Sequence, residues 1–250
     1  MNAIRAELLK LRRSAVWIIV VVLPLFAVVT GTVNYVLNVG ELSATWSSYW
    51  SQVTLFYGLL YLSIGVAVLA STLWRMEHRG NWPRLLAAPV SPGSILTAKL
   101  AALALLVVVM QAVLIATGWI AGILAAGLPP ALPANVLLVL ALSALPAIAV
   151  AALQSLLSML IRSFAAPVML AVLGCVLGLG LGLMLAGHDS LALAVPYALV
   201  TRVLGMLGAL TTAAPLSWAE AARVGLPSLA LAAAFTALGA LVLARRDIRA

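Results

Sequence analysis

The stretch Ala98–Ala126, AKLAALALLVVVMQAVLIATGWIAGILAA, decides the fold of this chain. It carries one charge, Lys99, at its extreme edge. At 1.5 Å per residue it exceeds the roughly 20 residues needed to cross a hydrocarbon core about 30 Å thick. An open sheet edge cannot satisfy its backbone in lipid, so the stretch reads as a transmembrane helix. Five further apolar runs have comparable character, near 15–37, 53–74, 135–161, 165–187 and 226–244. The expected fold is an all-α membrane domain of six transmembrane helices occupying residues 1–250 as a single unit.

The whole composition agrees with this reading. Of 250 residues 65% are hydrophobic and 8% are charged, against about 25% charged in an ordinary soluble domain. The charges also sort by side. Arg5, Lys10, Arg12 and Arg13 precede the first run, and Arg75, Arg79, Arg84 and Lys99 flank the connection between the second and third. Arg162 follows the fourth, and Arg245, Arg246 and Arg249 follow the sixth, so a six-span path puts twelve of the fourteen basic residues on one face. Arg202 and Arg223 fall opposite. Lysine and arginine mark the cytoplasmic side, which places both termini inside. This bias accounts for the net charge of +8 without a nucleic-acid surface.

Three segments lie outside the spans. Residues 1–14 read as an amphipathic surface helix, with Ile4, Leu8 and Leu11 at helical spacing and a basic surface from Arg5, Lys10, Arg12 and Arg13 that attracts anionic lipid. In the cytoplasmic loop 75–97, Asn81 can cap a short helix with Pro83 in its first turn, Trp82, Leu85 and Leu86 form its apolar side, and Pro89 stops it. Ser91 and Pro92 then cap the third span. The outer region 188–225 contains Pro196–Ala209, apolar but too short to cross, which reads as a segment that enters the outer leaflet and returns. An exposed amphipathic helix is the equal alternative there.

Catalytic signatures are missing. The only lysines, Lys10 and Lys99, stand in no Gly-Lys-Ser/Thr loop, so the chain has no phosphate-binding loop of its own. The six acidic residues lie at or beyond the span ends, which argues against an ion-coupled pump. His78 and His188 fall on opposite sides, and the lone Cys175 sits among glycines as a small packing residue. No catalytic residue, cofactor site or metal site is expected. The spans do hold polar stripes. Thr54, Tyr57 and Tyr61 share one sector of the second run, and Asn34 and Asn38 continue a stripe from Thr30 on the first. Gly174, Gly178 and Gly182 repeat a small-xxx-small spacing on the fifth. Helix packing explains each of these stripes; lining of a translocation path is the sharper alternative, strongest for Tyr57 and Tyr61.

The loop pattern Glu77-x-x-Gly80-x-x-x-x-Leu85-Leu86-x-x-Pro89-Val90-Ser91, followed by Lys99, resembles permeases of the ABC-2 type, most closely the lantibiotic-immunity and multidrug exporter group. The start, Glu7-Leu8-Leu9-Lys10-Leu11-x-Arg13-Ser14, is similar to theirs as well. The resemblance implies a bacterial inner-membrane exporter in which two permease chains, identical or different, form the path. It implies separate ATPase subunits that hold ATP and Mg and dock on Glu77, Gly80, Trp82, Leu85, Leu86 and Pro89, with Glu7, Lys10 and Arg13 of the surface helix contributing. It further implies that the second and fifth spans line the path for a drug or an amphipathic, peptidic cargo. A sensor or assembly protein whose spans only pack is the alternative; a lipid-modifying enzyme would need a carboxylate, histidine or metal cluster that the sequence does not offer.

Overall fold

The computed structural model describes residues 3–12, 14–78, 90–184, 193–209 and 216–245. Its regular elements are helices: α1 (Ala3–Leu11), α2 (Val16–Leu37), α3 (Trp46–Phe56), α4 (Leu62–His78), α5 (Pro92–Leu124), α6 (Ala134–Leu142), α7 (Ala144–Leu160), α8 (Ala165–Met184), α9 (Pro196–Ala209) and α10 (Trp218–Ala244). A π-turn, Tyr57–Tyr61, joins α3 to α4. Among the described residues, four helical stretches are long and apolar enough to cross a membrane: Val16–Leu37, Pro92–Leu124, Ala134–Leu160 and Trp218–Ala244.

The helices run further than hydropathy implies, for reasons that are local. The second span was expected from 53, yet α3 begins at Trp46, because Thr45 caps it by accepting from the Ser48 amide at 3.2 Å. Ser47, Ser48, Ser51 and Gln52 depress the hydropathy of this turn, while Trp46, Tyr49, Trp50 and Val53 form a fully packed opposite face. The sixth run was expected from 226, but α10 starts at Trp218 behind a reciprocal capping box between Ser217 and Glu220. The first two turns of α10 therefore occupy the end of the region assigned to the outer loop. α5 starts at Pro92 behind Ser91, whose hydroxyl accepts from Ser94, as the sequence implies. At about 50 Å long it overshoots a hydrocarbon core. The fourth run is broken at Ser143. Pro146 has no N–H to offer the Leu142 carbonyl and its ring crowds that position, so α6 ends there.

Three kinds of contact hold the bundle together. Small residues let helices approach closely: a Cβ on Gly31 would strike the Val53 backbone, and one on Gly118 or Gly122 would overlap the Trp50 or Trp46 ring. The aromatic rings then interlock, with Tyr49 edge-on to Tyr35, Trp46 and Trp50 at centroid distances of 5.5, 5.7 and 5.8 Å. Polar side chains inside the bundle find one another: Thr32 with the Tyr49 hydroxyl at 2.9 Å, and the Gln111 amide donating to Ser143 at 2.7 Å. α7 packs between α4 and α10, α2 lies against α3 and α5, and α9 rests on α8 and α3. α1 touches the bundle at the start of α5.

Candidate functional site

The site grows from a lysine that apolar surroundings cannot tolerate alone. Lys99 is on the second turn of α5 and is fully buried. An ammonium in that position needs carboxylates. Two reach it from different helices: Glu77 Oε1 on the last turn of α4 at 3.0 Å, and both oxygens of Glu7 on α1 at 3.3 Å. Lys10 closes the group from the solvent side, 2.7 Å from Glu7 and 2.8 Å from Glu77. Two positive and two negative charges thus balance in a single cluster that joins α1, α4 and α5.

A platform supports it. The Trp74 ring lies beneath Lys99, with the ammonium 4.8 Å from its centroid, and the indole N–H donates to Ser155 on α7 at 2.8 Å. One turn on, His78 bonds the Ser158 carbonyl at 2.8 Å, and Ser71 meets the Ser158 hydroxyl at 3.2 Å. Burial lowers the affinity of Lys10 for its proton, but hydrogen bonds and charge from Glu7 and Glu77 offset this and hold its pKa above the ordinary lysine range. The arrangement is a charge-locked joint. Separating α4 from α5 breaks the Glu77–Lys99 pair, and withdrawing α1 takes Glu7 and Lys10 from a group whose four charges are shared across three helices.

Glu7, Lys10 and Glu77, singled out in the sequence, are thus brought together, and Lys99 completes them. Gly80, Trp82, Leu85, Leu86, Pro89 and Arg13 lie outside the described residues, as does the expected short helix. That segment is attached directly to the joint, since it follows His78 and leads into α5. Sequence reasoning did not assemble the cluster, although a signal was present. A lone lysine inside an apolar run requires an acid, and only a few carboxylates stand on the same face.

A second locus lies along the C-terminal half of α3 and the π-turn that follows it. A cavity of about 260 Å³ is lined by Ser51, Gln52, Thr54 and Gly58 of the α3 segment and by Thr201 and Leu204 of α9. Thr54 therefore reaches the cavity, with its hydroxyl also donating to the Trp50 carbonyl at 2.6 Å. Asn34 donates to Gln52 at 2.7 Å, and the exposed Asn38 donates back to the Asn34 carbonyl. Tyr57 is turned into the core with no hydrogen-bond partner for its hydroxyl among the described residues, and Tyr61 is half-buried against the same core. Gly174 and Gly178 receive Tyr197, so they seat α9 on α8 within the chain, while Gly182 lies on the last turn of α8. Among the described residues no group of three histidine, cysteine or acidic side chains is placed to hold a metal.

Comparison with known proteins adds a family. A sequence-family model described as ABC-2 family transporter protein matches residues 3–178, from α1 through most of α8. Neither a curated protein nor a solved structure matches the chain. The matched region contains every member of the charge cluster, the segment that follows His78, and the α3 side of the cavity. This chain belongs to the ABC-2 family of transporter membrane proteins.

Proposed function

We propose that this chain is the permease subunit of an ATP-driven exporter of the lantibiotic-immunity and multidrug kind. It crosses a bacterial inner membrane six times, through α2, α3–α4, α5, α6–α7, α8 and α10, with both termini inside. α9 enters the outer leaflet and returns. A second permease chain completes the path, and separate ATPase subunits supply ATP and Mg and dock on the segment that follows His78. Cargo of amphipathic or peptidic character moves along the faces of α3 and α8.

The observation that carries this reading is the joint of Glu7, Lys10, Glu77 and Lys99. A docked ATPase would press on a segment whose two ends, α4 and α5, are bound to each other and to α1 through that joint. The motion then passes up α4, across the π-turn, to the wall of the outer cavity. A π-turn has one residue too many for the α ladder and is a place where a helix yields. ATP-bound and ATP-free partners can drive such a switch only if they favour different arrangements of the joint.

The test is co-expression of the chain in membranes with the ATPase encoded beside it, followed by affinity capture. Wild type should retain the ATPase, and Glu77→Gln and Leu85→Asp should each release it while the membrane fold persists. Reconstituted complexes should hydrolyse ATP faster when cargo is present. Absence of capture, or capture indifferent to both changes, refutes the exporter reading and favours a sensor whose spans only pack.

A further inference from the structure

A groove of about 350 Å³ lies beside α1, lined by Arg5, Leu8 and Leu9 of α1, by Arg12 just after it, by Trp17 of α2 and by Leu105 of α5. Its composition is unusual for a solvated surface. Leu8, Leu9, Trp17 and Leu105 are 37–52% exposed, which an aqueous surface would penalise. Arg5 and Arg12 are exposed at its rim, no carboxylate lines it, and neither arginine has an ion pair among the described residues. The sequence pointed to four basic residues sharing one surface, but Lys10 turns inward to Glu7 and Glu77, and Arg5 and Arg12 are the cations that line this groove.

We infer that this groove binds one inner-leaflet phospholipid with an anionic headgroup. Arg5 lies on α1 and Arg12 directly follows its last residue, seven positions on and about 10 Å farther at 1.5 Å per residue. Two extended guanidinium arms close that gap around a single phosphate, for which their planar forks are suited. Below them the lining is apolar and continues onto Trp17 and Leu105, which belong to membrane-crossing helices, so the occupant must carry an acyl chain. That continuity excludes a soluble acidic segment as the natural fit. The Trp17 indole N–H donates to the Leu11 carbonyl at 2.9 Å, which fixes the ring as one wall. Because Glu7 on the opposite face of α1 is held by Lys99, the lipid would set the resting position of the same helix that the joint secures. The inference rests on membrane placement and not on the exporter reading.

Native mass spectrometry of the full chain extracted in mild detergent tests it, with phosphatidylglycerol and phosphatidylcholine as probes. The wild type should retain one phosphatidylglycerol preferentially. R5Q/R12Q should weaken that retention roughly thirty-fold, since each basic side chain contributes about a five-fold attraction to anionic lipid. R162Q/R245Q removes the same charge from exposed positions outside the groove and should leave retention unchanged. L105W keeps both arginines but fills the apolar cleft, and it should also lose the lipid; it decides the question if R5Q/R12Q does not fold. Equal loss in R5Q/R12Q and R162Q/R245Q, equal retention of phosphatidylcholine, or full retention by L105W would each overturn the site. No ATPase is present in this measurement, so its failure leaves the proposed function standing.

Discussion

Replacing Lys99 by Met preserves the length of the side chain and its packing on Trp74 while removing the charge. The ammonium is 3.0 Å from Glu77 and 3.3 Å from Glu7. At an effective dielectric of about 20, each contact is worth on the order of 5 kcal/mol of Coulomb attraction, reduced by the several kcal/mol that desolvating the ammonium costs. Loss of Lys99 leaves two buried carboxylates sharing Lys10, and breaking a buried pair from one side costs about 3–5 kcal/mol. For a chain of this size each kcal/mol lowers Tm by about 2–4 °C, so a fall of roughly 6–20 °C is expected.

Cys175 supplies the assay. It is the only cysteine and is buried, so a maleimide dye that fluoresces on reaction reports unfolding of the detergent-solubilised chain as temperature rises. The decisive comparison is with Glu77→Gln and with the double variant. If the charges interact as the distances require, Lys99→Met should be substantially less damaging once Glu77 is neutral, with a coupling of about 1–3 kcal/mol between the two changes. Additive effects, or a shift in Lys99→Met below about 2 °C, would refute the claim that the cluster is a single electrostatic unit.

Further outcomes follow from other parts of the structure. Gly118→Val should destabilise by about 1–3 kcal/mol by driving a side chain into the Trp50 ring, and the same dye assay reads it. Gln111→Leu alone should cost about 1–3 kcal/mol because Ser143 loses its buried donor, whereas Gln111→Leu with Ser143→Ala should recover most of that loss. Ser217→Ala removes the capping box of α10 and should fray its first turn by about 1 kcal/mol, seen as faster amide exchange at Trp218–Ala221 with Tm little changed. The folded pKa of Lys10 is raised, so its stabilising contact is fully present below the ordinary lysine value and is lost only as pH climbs through the raised one. A spin label at Ile4 should accordingly keep the same mobility from about pH 6 to 9.

The sequence disclosed what depends on lipid as solvent and hid what depends on helix pairing. Four long apolar helices, the Ser91–Pro92 cap and the apolar helix at Pro196 depend on local sequence and could be read from it. The start of α3 was missed because its serines and Gln52 lower the mean hydropathy of a turn whose other face is aromatic and buried. The start of α10 was missed because a capping box extends a helix past the edge of its apolar run. Gly174 and Gly178 stood out by their spacing, but Tyr197, which packs on them, is on a helix whose position no periodicity specifies. The charge cluster spans 92 residues from Glu7 to Lys99, and its four members could be marked as notable but not assembled.

Why α1 should be fastened by charge follows from the solvent it lies beside. In water an amphipathic helix is driven onto a bundle by burial of its apolar face, but a membrane offers that face an equally apolar alternative in the lipid. Ile4, Leu8 and Leu9 are exposed, so apolar contact alone would let α1 drift along the interface. Glu7 is different: besides Lys10 on its own helix it reaches the buried Lys99 of α5, which Glu77 of α4 also holds. The interior helices meet the same difficulty with glycine and aromatic pairs, where close backbone approach gives van der Waals contact that lipid tails cannot match. A charge pair does more than shape can, because its cost when broken is large and its geometry admits few alternatives.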